Sequence, residues 1–356
     1  MKASLTLLLC ALSILGLSQT YTQIESAEYD PSQDRWLVSN GNSIIAQDAM
    51  GDLSFFGNGP ASHGMEVMNG QLFAIYNNQI RAYQLSDGAQ VMSVSIPGAG
   101  FLNGMGSDPN TNRLWISDFS NNDIIEMDVS DLDNPSFQTV VSNTGSTPNG
   151  VVYDPIDDRV VFVSWGSNAA IKAMSLTDYS VTTLENTGLT NIDGIDIDQF
   201  GSFFISSWSP TRITRYDHEF VDAEIISAPG LSNPADISYG IEIDVLGIAN
   251  SGNETLTLVE FESVGLPESS QAFDFQVFPN PVSSNSMIRF ELEEDAYLQL
   301  RILDAQGREV ERLMDGRQIR GEHRVLLHGI ELADGIYHAE LRTEAGVVMH
   351  PIMVSH

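Results

Sequence analysis

Two carboxylates and two carboxamides, Glu25, Asp193, Asn103 and Asn149, recur in this chain at the same place in a repeating unit. They belong to a series of six anchors, Glu25, His63, Asn103, Asn149, Asp193 and Ala235, spaced 38, 40, 46, 44 and 42 residues apart. Converging oxygen donors of this kind suit calcium or a similar hard divalent ion. Without a cation Glu25 and Asp193 repel one another, and one of them is expected to have a raised pKa. Each residue taken singly has a plainer explanation. Asn-Gly and Asp-Gly pairs are ordinary turn chemistry, and polar groups at a channel mouth often hold only water. Recurrence at matched positions is what favours a metal.

The donors meet only if the repeat closes into a ring. In five units a β-type run follows the anchor, and four carry an Asp five residues on: Glu25 to Asp30, Asn103 to Asp108, Asn149 to Asp154 and Asp193 to Asp198. Unit 4 shows four short strands, at 149–154, 159–165, 170–176 and 181–185, divided by turns such as Asp154-Pro155 and Thr177-Asp178. A period in the forties with four strands per unit is the signature of a β-propeller. Helical periodicity is absent, so the chain is expected to be all-β, a six-bladed propeller in which residues 19–23 complete blade 6 from the N-terminus. The start of each first strand and the end of each second strand share one face. That places Asn40, Asn77, Asp118, Trp165, Trp208 and Asn250 in a wider second ring. His63, Asn103, Asp118, Trp165 and Trp208 are therefore candidate substrate contacts. The two tryptophans suit stacking on a sugar or an apolar group, or equally the packing of one blade on the next.

The 356 residues carry a formal net charge of −32. Residues 1–272 hold 34 acidic and 8 basic side chains and residues 273–356 hold 14 and 8, giving −26 and −6. Nucleic-acid and anionic-membrane partners need basic patches and are disfavoured. Residues 1–18 read as a secretory signal peptide, with Lys2 ahead of an apolar run from Leu5 to Leu15 and a small-residue exit at Gly16-Leu17-Ser18. Cys10, the single cysteine, lies inside it, so disulfides and thiolate chemistry are excluded from the remainder. Residues 19–263 are assigned to the propeller, 264–272 to a polar linker, and 273–356 to about seven alternating strands that suit a small Ig-like β-sandwich. There is no G-x-S-x-G, H-E-x-x-H or P-loop motif. A monomer is expected.

Within 273–356 the segments Phe278-Pro279-Asn280-Pro281, Leu303-Asp304-Ala305-Gln306-Gly307-Arg308-Glu309-Val310 and Leu332-Ala333-Asp334-Gly335-Ile336-Tyr337 resemble the C-terminal sorting domain of the type IX secretion system of Bacteroidetes. That resemblance implies export across the outer membrane, the secretion machinery as partner, and release or attachment at the cell surface. The propeller resembles the gluconolactonase (regucalcin-like) family, whose single divalent metal is held by a Glu, an Asn and an Asp from blades 1, 4 and 5. Those positions are Glu25, Asn149 and Asp193 here, with Asn103 in the assisting position. The resemblance implies hydrolysis of a lactone or ester, calcium as first choice of ion with zinc or manganese as alternatives, and Asp193 as ligand and general base. Two departures bear on the substrate rather than the metal: Ser26-Ala27 follow Glu25 where the family has Gly-Pro, and Phe101 stands where a basic residue holds the sugar acid. A non-catalytic propeller resembling NHL repeats, binding a glycan or a protein, is the alternative. A strictosidine-synthase-like propeller shares the fold without a residue that argues for it.

Overall fold

The computed structural model describes residues 19–198, 201–261, 275–278, 286–292, 296–304, 308–327, 332, 335–343 and 346–354. The signal-peptide and linker assignments lie outside them, as do Pro279–Pro281, Ala305–Gly307 and Ala333–Asp334 of the sorting motifs. The chain divides into two units, with the boundary after Val259.

The first unit is a ring of six antiparallel sheets whose strands follow chain order from the axis outward. The innermost strands are Ile24–Asp30, Met65–Met68, Leu102–Asp108, Thr147–Asp154, Thr190–Ile197 and Pro234–Gly240. Blades 1 to 5 have four strands each. The middle strands are apolar on both faces because each blade is covered on both sides: Leu72, Phe73, Ala74 and Ile75 are all fully buried. Phe73 and Ile75 of blade 2 pack against Leu102, Leu114 and Ile116 of blade 3, and Val161 and Val163 of blade 4 against Ile195, Phe203 and Ile205 of blade 5. Outermost strands such as Ser136–Val141 are largely exposed.

Closure differs from the sequence expectation. Residues 19–23 form no strand, and blade 6 has three strands among the described residues, Pro234–Gly240, Val245–Asn250 and Thr255–Glu260. The first and last blades meet by packing instead: Ile24, Trp36 and Val38 share one core with Val245 and Ala249. The ring of Asp residues five after the anchor also has a structural task. Asp30, Asp108, Asp154 and Asp198 are buried at the far end of the inner strand, where each accepts backbone N–H groups of the following turn. Arg35, Arg159 and Arg215 pair with three of them at 2.6–2.9 Å.

The second unit is a two-layer antiparallel sandwich. One sheet orders Gln276–Phe278, Met287–Leu292 and Gly321–Leu326; the other orders Glu309–Gln318, Ala296–Leu303, Gly335–Thr343 and Gly346–Val354. Ile288, Phe290 and Leu292 of the first face Leu298, Leu300, Ile302 and Leu341 of the second in a single core.

Candidate functional site

A local irregularity aims the anchors. In blades 1, 3, 4, 5 and 6 the ladder between the first two strands slips at the anchor, as between Ile24 and Ala27 or between Pro148 and Val151. Such a bulge bends the strand and turns side chains that would otherwise lie between blades toward the axis. The freed N–H after the anchor is taken by a serine of the second strand: Ser39 Oγ accepts from Ser26, Ser117 Oγ from Gly104, and Ser206 Oγ from Gly194, each at 2.8 Å. Blades 2 to 5 place glycine directly after the anchor because the strands crowd there. A Cβ on Gly104 would lie 2.3 Å from Asn149 O, and one on Gly150 2.6 Å from Asp193 O.

Glu25, His63, Asn103, Asn149 and Asp193 consequently line one depression on the axis, joined by Asp236. Asn103 Nδ2 donates to Asn149 Oδ1 at 2.5 Å, and Asn149 Nδ2 donates to Asp193 Oδ1 at 2.9 Å and to Ile192 O at 3.3 Å. This amide relay orients both carboxamides and leaves Asn149 Oδ1 with a second lone pair. No Lys or Arg lines it. Burial therefore acts on the carboxyls unopposed by positive charge. Burial, with Glu254 next, pushes Glu25 up to about 7. Asp193 is raised well above the carboxylate range by burial and then by Glu25 and Asp236, against the hydrogen bonds from Asn149 and Trp208. Burial also lowers His63 to about 4, leaving it neutral at physiological pH. An all-oxygen donor set that lacks a counter-charge fits a hard divalent cation held by Glu25, Asn149 and Asp193.

Asp236 escaped the sequence reading, which aligned Ala235 to the ring. Ala235 is fully buried, and the bulge instead turns its neighbour to the axis, where Asp236 Oδ2 accepts from Ser26 Oγ at 2.9 Å. Blades 1 and 6, which lack the glycine, thus close the ring with a polar pair. Burial pushes Asp236 to about 7. Three residues beyond the anchors, about 10 Å further along the strands, stand Glu28, Glu66 and Asp196. Burial is the main cause that raises all three, joined by Glu66, Asp196 and Asp236 at Glu28, by Asp196 and Asp236 at Glu66, and by Asp236 and Asp198 at Asp196, which reaches about 7. A three-residue offset from the anchors was the available signal for them. Asp154, Asp157 and His218 form a separate cluster near the opposite end of the blades, where Arg159 already supplies the positive charge.

The wider ring divides into two roles. Asn40, Asp118 and Asn250 cap the loop entering their own blade, accepting from Thr22, Gly100 and Ser232 N–H at 2.7, 2.8 and 3.1 Å. Asp118 also accepts from Phe101 N and Asn121 Nδ2 and is 1 % exposed. It positions Phe101 and is not among the residues lining the depression. Trp165 and Trp208 stay half-buried at the mouth, their rings edge to face at 4.8 Å. Trp208 Nε1 donates to Pro234 O at 3.1 Å.

Residues 276–355 match the family model of the secretion system C-terminal sorting domain. Solved structures similar to the propeller share its fold at low identity. A protein of unknown function from Bacteroides thetaiotaomicron aligns with TM-score 0.56 and 12% identity over 68% of this chain and 70% of that one. A chain of the nidogen/laminin complex aligns with TM-score 0.55 and 16% identity over 64% and 89%. A luciferin-regenerating enzyme aligns with TM-score 0.52 and 13% identity over 68% and 93%. The chain is accordingly an all-β propeller protein that carries a type IX sorting tail and is exported through that machinery to the cell surface or beyond.

Proposed function

We propose that the propeller is a metal-dependent hydrolase of the gluconolactonase type that acts outside the cell on a lactone or ester. The observation that carries this reading is the Asn103–Asn149–Asp193 relay meeting Glu25 in a depression with no cationic side chain. Glu25, Asn149 and Asp193 would hold the ion, calcium before zinc or manganese, and its charge would return the carboxyls to their ionised form. When bound, the ion supplies polarisation of the carbonyl oxygen. Asp193 takes a proton from water as the water oxygen adds to the carbonyl carbon. The acyl C–O bond then breaks, and the alcohol oxygen leaves with the proton returned by Asp193. Asn103 holds Asn149 in register, and neutral His63 offers a hydrogen bond to the substrate from the opposite wall.

The test is turnover of a lactone and ester panel by chelator-stripped protein with and without calcium, zinc or manganese. Activity that needs a metal and is lost in Asp193→Asn and Glu25→Gln supports the reading; full activity without metal overturns it. A non-catalytic propeller binding a glycan or protein remains the second reading, favoured by the aromatic rings at the mouth. Saturable glycan or protein binding with no turnover under any of these metals would establish it.

A further inference from the structure

The mouth of the depression is unlike on its two sides. Across blades 2 to 5 five rings follow one another in unbroken contact. His63 meets Phe101 at 4.7 Å, Phe101 meets Phe119 at 5.6 Å, Phe119 meets Trp165 at 6.0 Å, and Trp165 meets Trp208 at 4.8 Å. All four pairs are edge to face, with interplanar angles of 61° to 89°. This is not the packing of a blade interface, whose rings are sealed: Trp115, Phe162, Phe203 and Phe204 are at most 1 % exposed. The rings of the arc are half-buried, and Phe101 is 36 % exposed. On the side of blades 6 and 1 the depression is lined by Asp236 and Glu25, with Glu254 close enough to Glu25 to raise it. A contiguous apolar arc that stays open beside a chemically active pit is a recognition surface.

The arc also has little to offer a hydroxyl group. Trp208 Nε1 is engaged by Pro234 O and His63 Nδ1 by Ser62 Oγ at 2.9 Å, and Phe101 and Phe119 have no polar side-chain atom, so polar contact along the arc is confined to Trp165 Nε1 and His63 Nε2. Over the Phe101 and Phe119 rings a hydroxyl would lose hydration without gaining a partner, which disfavours a polyhydroxylated substituent there against an apolar one. An anionic ligand would meet Glu25, Asp193 and Asp236 with no Lys or Arg to receive it. Resting on the hydrolase reading above, we propose that the substrate is a neutral lactone or ester with an aromatic or aliphatic substituent that lies on the Phe101–Phe119–Trp165–Trp208 arc, rather than a sugar lactone.

Two measurements separate this inference from the hydrolase reading. Metal-loaded protein is assayed on γ-phenyl-γ-butyrolactone, γ-butyrolactone and glucono-δ-lactone. In parallel, calorimetry follows binding of 5-phenyl-2-pyrrolidinone, a lactam of the same shape that resists hydrolysis. The phenyl lactone is expected to exceed both others in kcat/KM by about tenfold or more, the worth of one buried ring. Phe119→Ala and Trp165→Ala should erase that preference and weaken lactam binding by a similar factor, with calcium affinity unchanged as the control for folding. Preference for glucono-δ-lactone, or lactam binding indifferent to both variants, overturns the inference and leaves the hydrolase reading standing. Lactam binding that depends on the arc without turnover of any lactone supports the arc as the apolar subsite while removing the hydrolase reading.

Discussion

Stripping the metal should make the propeller less stable as pH rises, the reverse of ordinary acid denaturation. A carboxyl whose folded pKa is raised binds its proton more tightly in the fold than in the unfolded chain. Its ionisation therefore opposes folding: the penalty is absent below the unfolded value, grows as pH rises, and is complete above the folded value. For Glu25, raised from 4.5 to about 7, this is about 3 kcal/mol at 1.36 kcal/mol per pH unit. Asp236 and Asp196, raised from 3.8 to about 7, act in the same direction, and because the groups repel one another their penalties do not simply add. Loss of about 3 kcal/mol lowers the melting temperature of a domain of this size by roughly 6–12 °C. Tryptophan emission is the assay of choice, because Trp36, Trp115, Trp165 and Trp208 are the only tryptophans and all lie in the propeller, leaving the tail silent. Urea midpoints of chelator-treated protein should fall between pH 5 and 8, and calcium should restore them at pH 8. In Glu25→Gln both the fall and the calcium response should shrink. A metal-free midpoint that is flat or rises across this range, or an unchanged slope in Glu25→Gln, would refute the electrostatic account of the depression.

Three further outcomes follow from named contacts. Asp118→Ala, which leaves the Gly100 and Phe101 N–H groups without their acceptor, should cost about 2 kcal/mol in urea unfolding and leave calcium affinity intact. Gly104→Ala drives a Cβ to 2.3 Å from Asn149 O; it should destabilise by roughly 1–3 kcal/mol and weaken calcium binding in calorimetry, since the strand that must move carries Asn149. Asp236→Asn removes a charge that raises Asp193, so the acid limb of the pH profile of kcat/KM should move to lower pH.

What could be read from the sequence was whatever repeats. The anchor period located the blades, and the tail motifs located the sorting domain, because both depend on residues that recur or stand at fixed spacing. The bulge at each anchor was not legible: it is a one-residue slip in pairing between strands, and nothing in Asn149-Gly150 alone distinguishes it from a turn. Asp236 was missed for that reason, since the alignment set Ala235 in the ring while the slip presented the following side chain. The partners of Asp118 were hidden as well. That residue shares a face with the site, but its carboxylate is taken by the loop it caps, and only the hydrogen-bond partners reveal this. Closure of the ring by Trp36 against Val245 and Ala249 was equally hidden, because packing between distant blades leaves no periodic trace.

The central claim is that Glu25, Asn149 and Asp193 together hold one divalent ion. Anomalous diffraction from crystals grown with manganese in place of calcium tests it most directly. The account predicts a single strong peak on the propeller axis within about 2.6 Å of oxygen atoms from all three side chains, absent in Glu25→Gln crystals. No peak at that position in metal-saturated crystals, or a peak that survives the substitution unchanged, would contradict it.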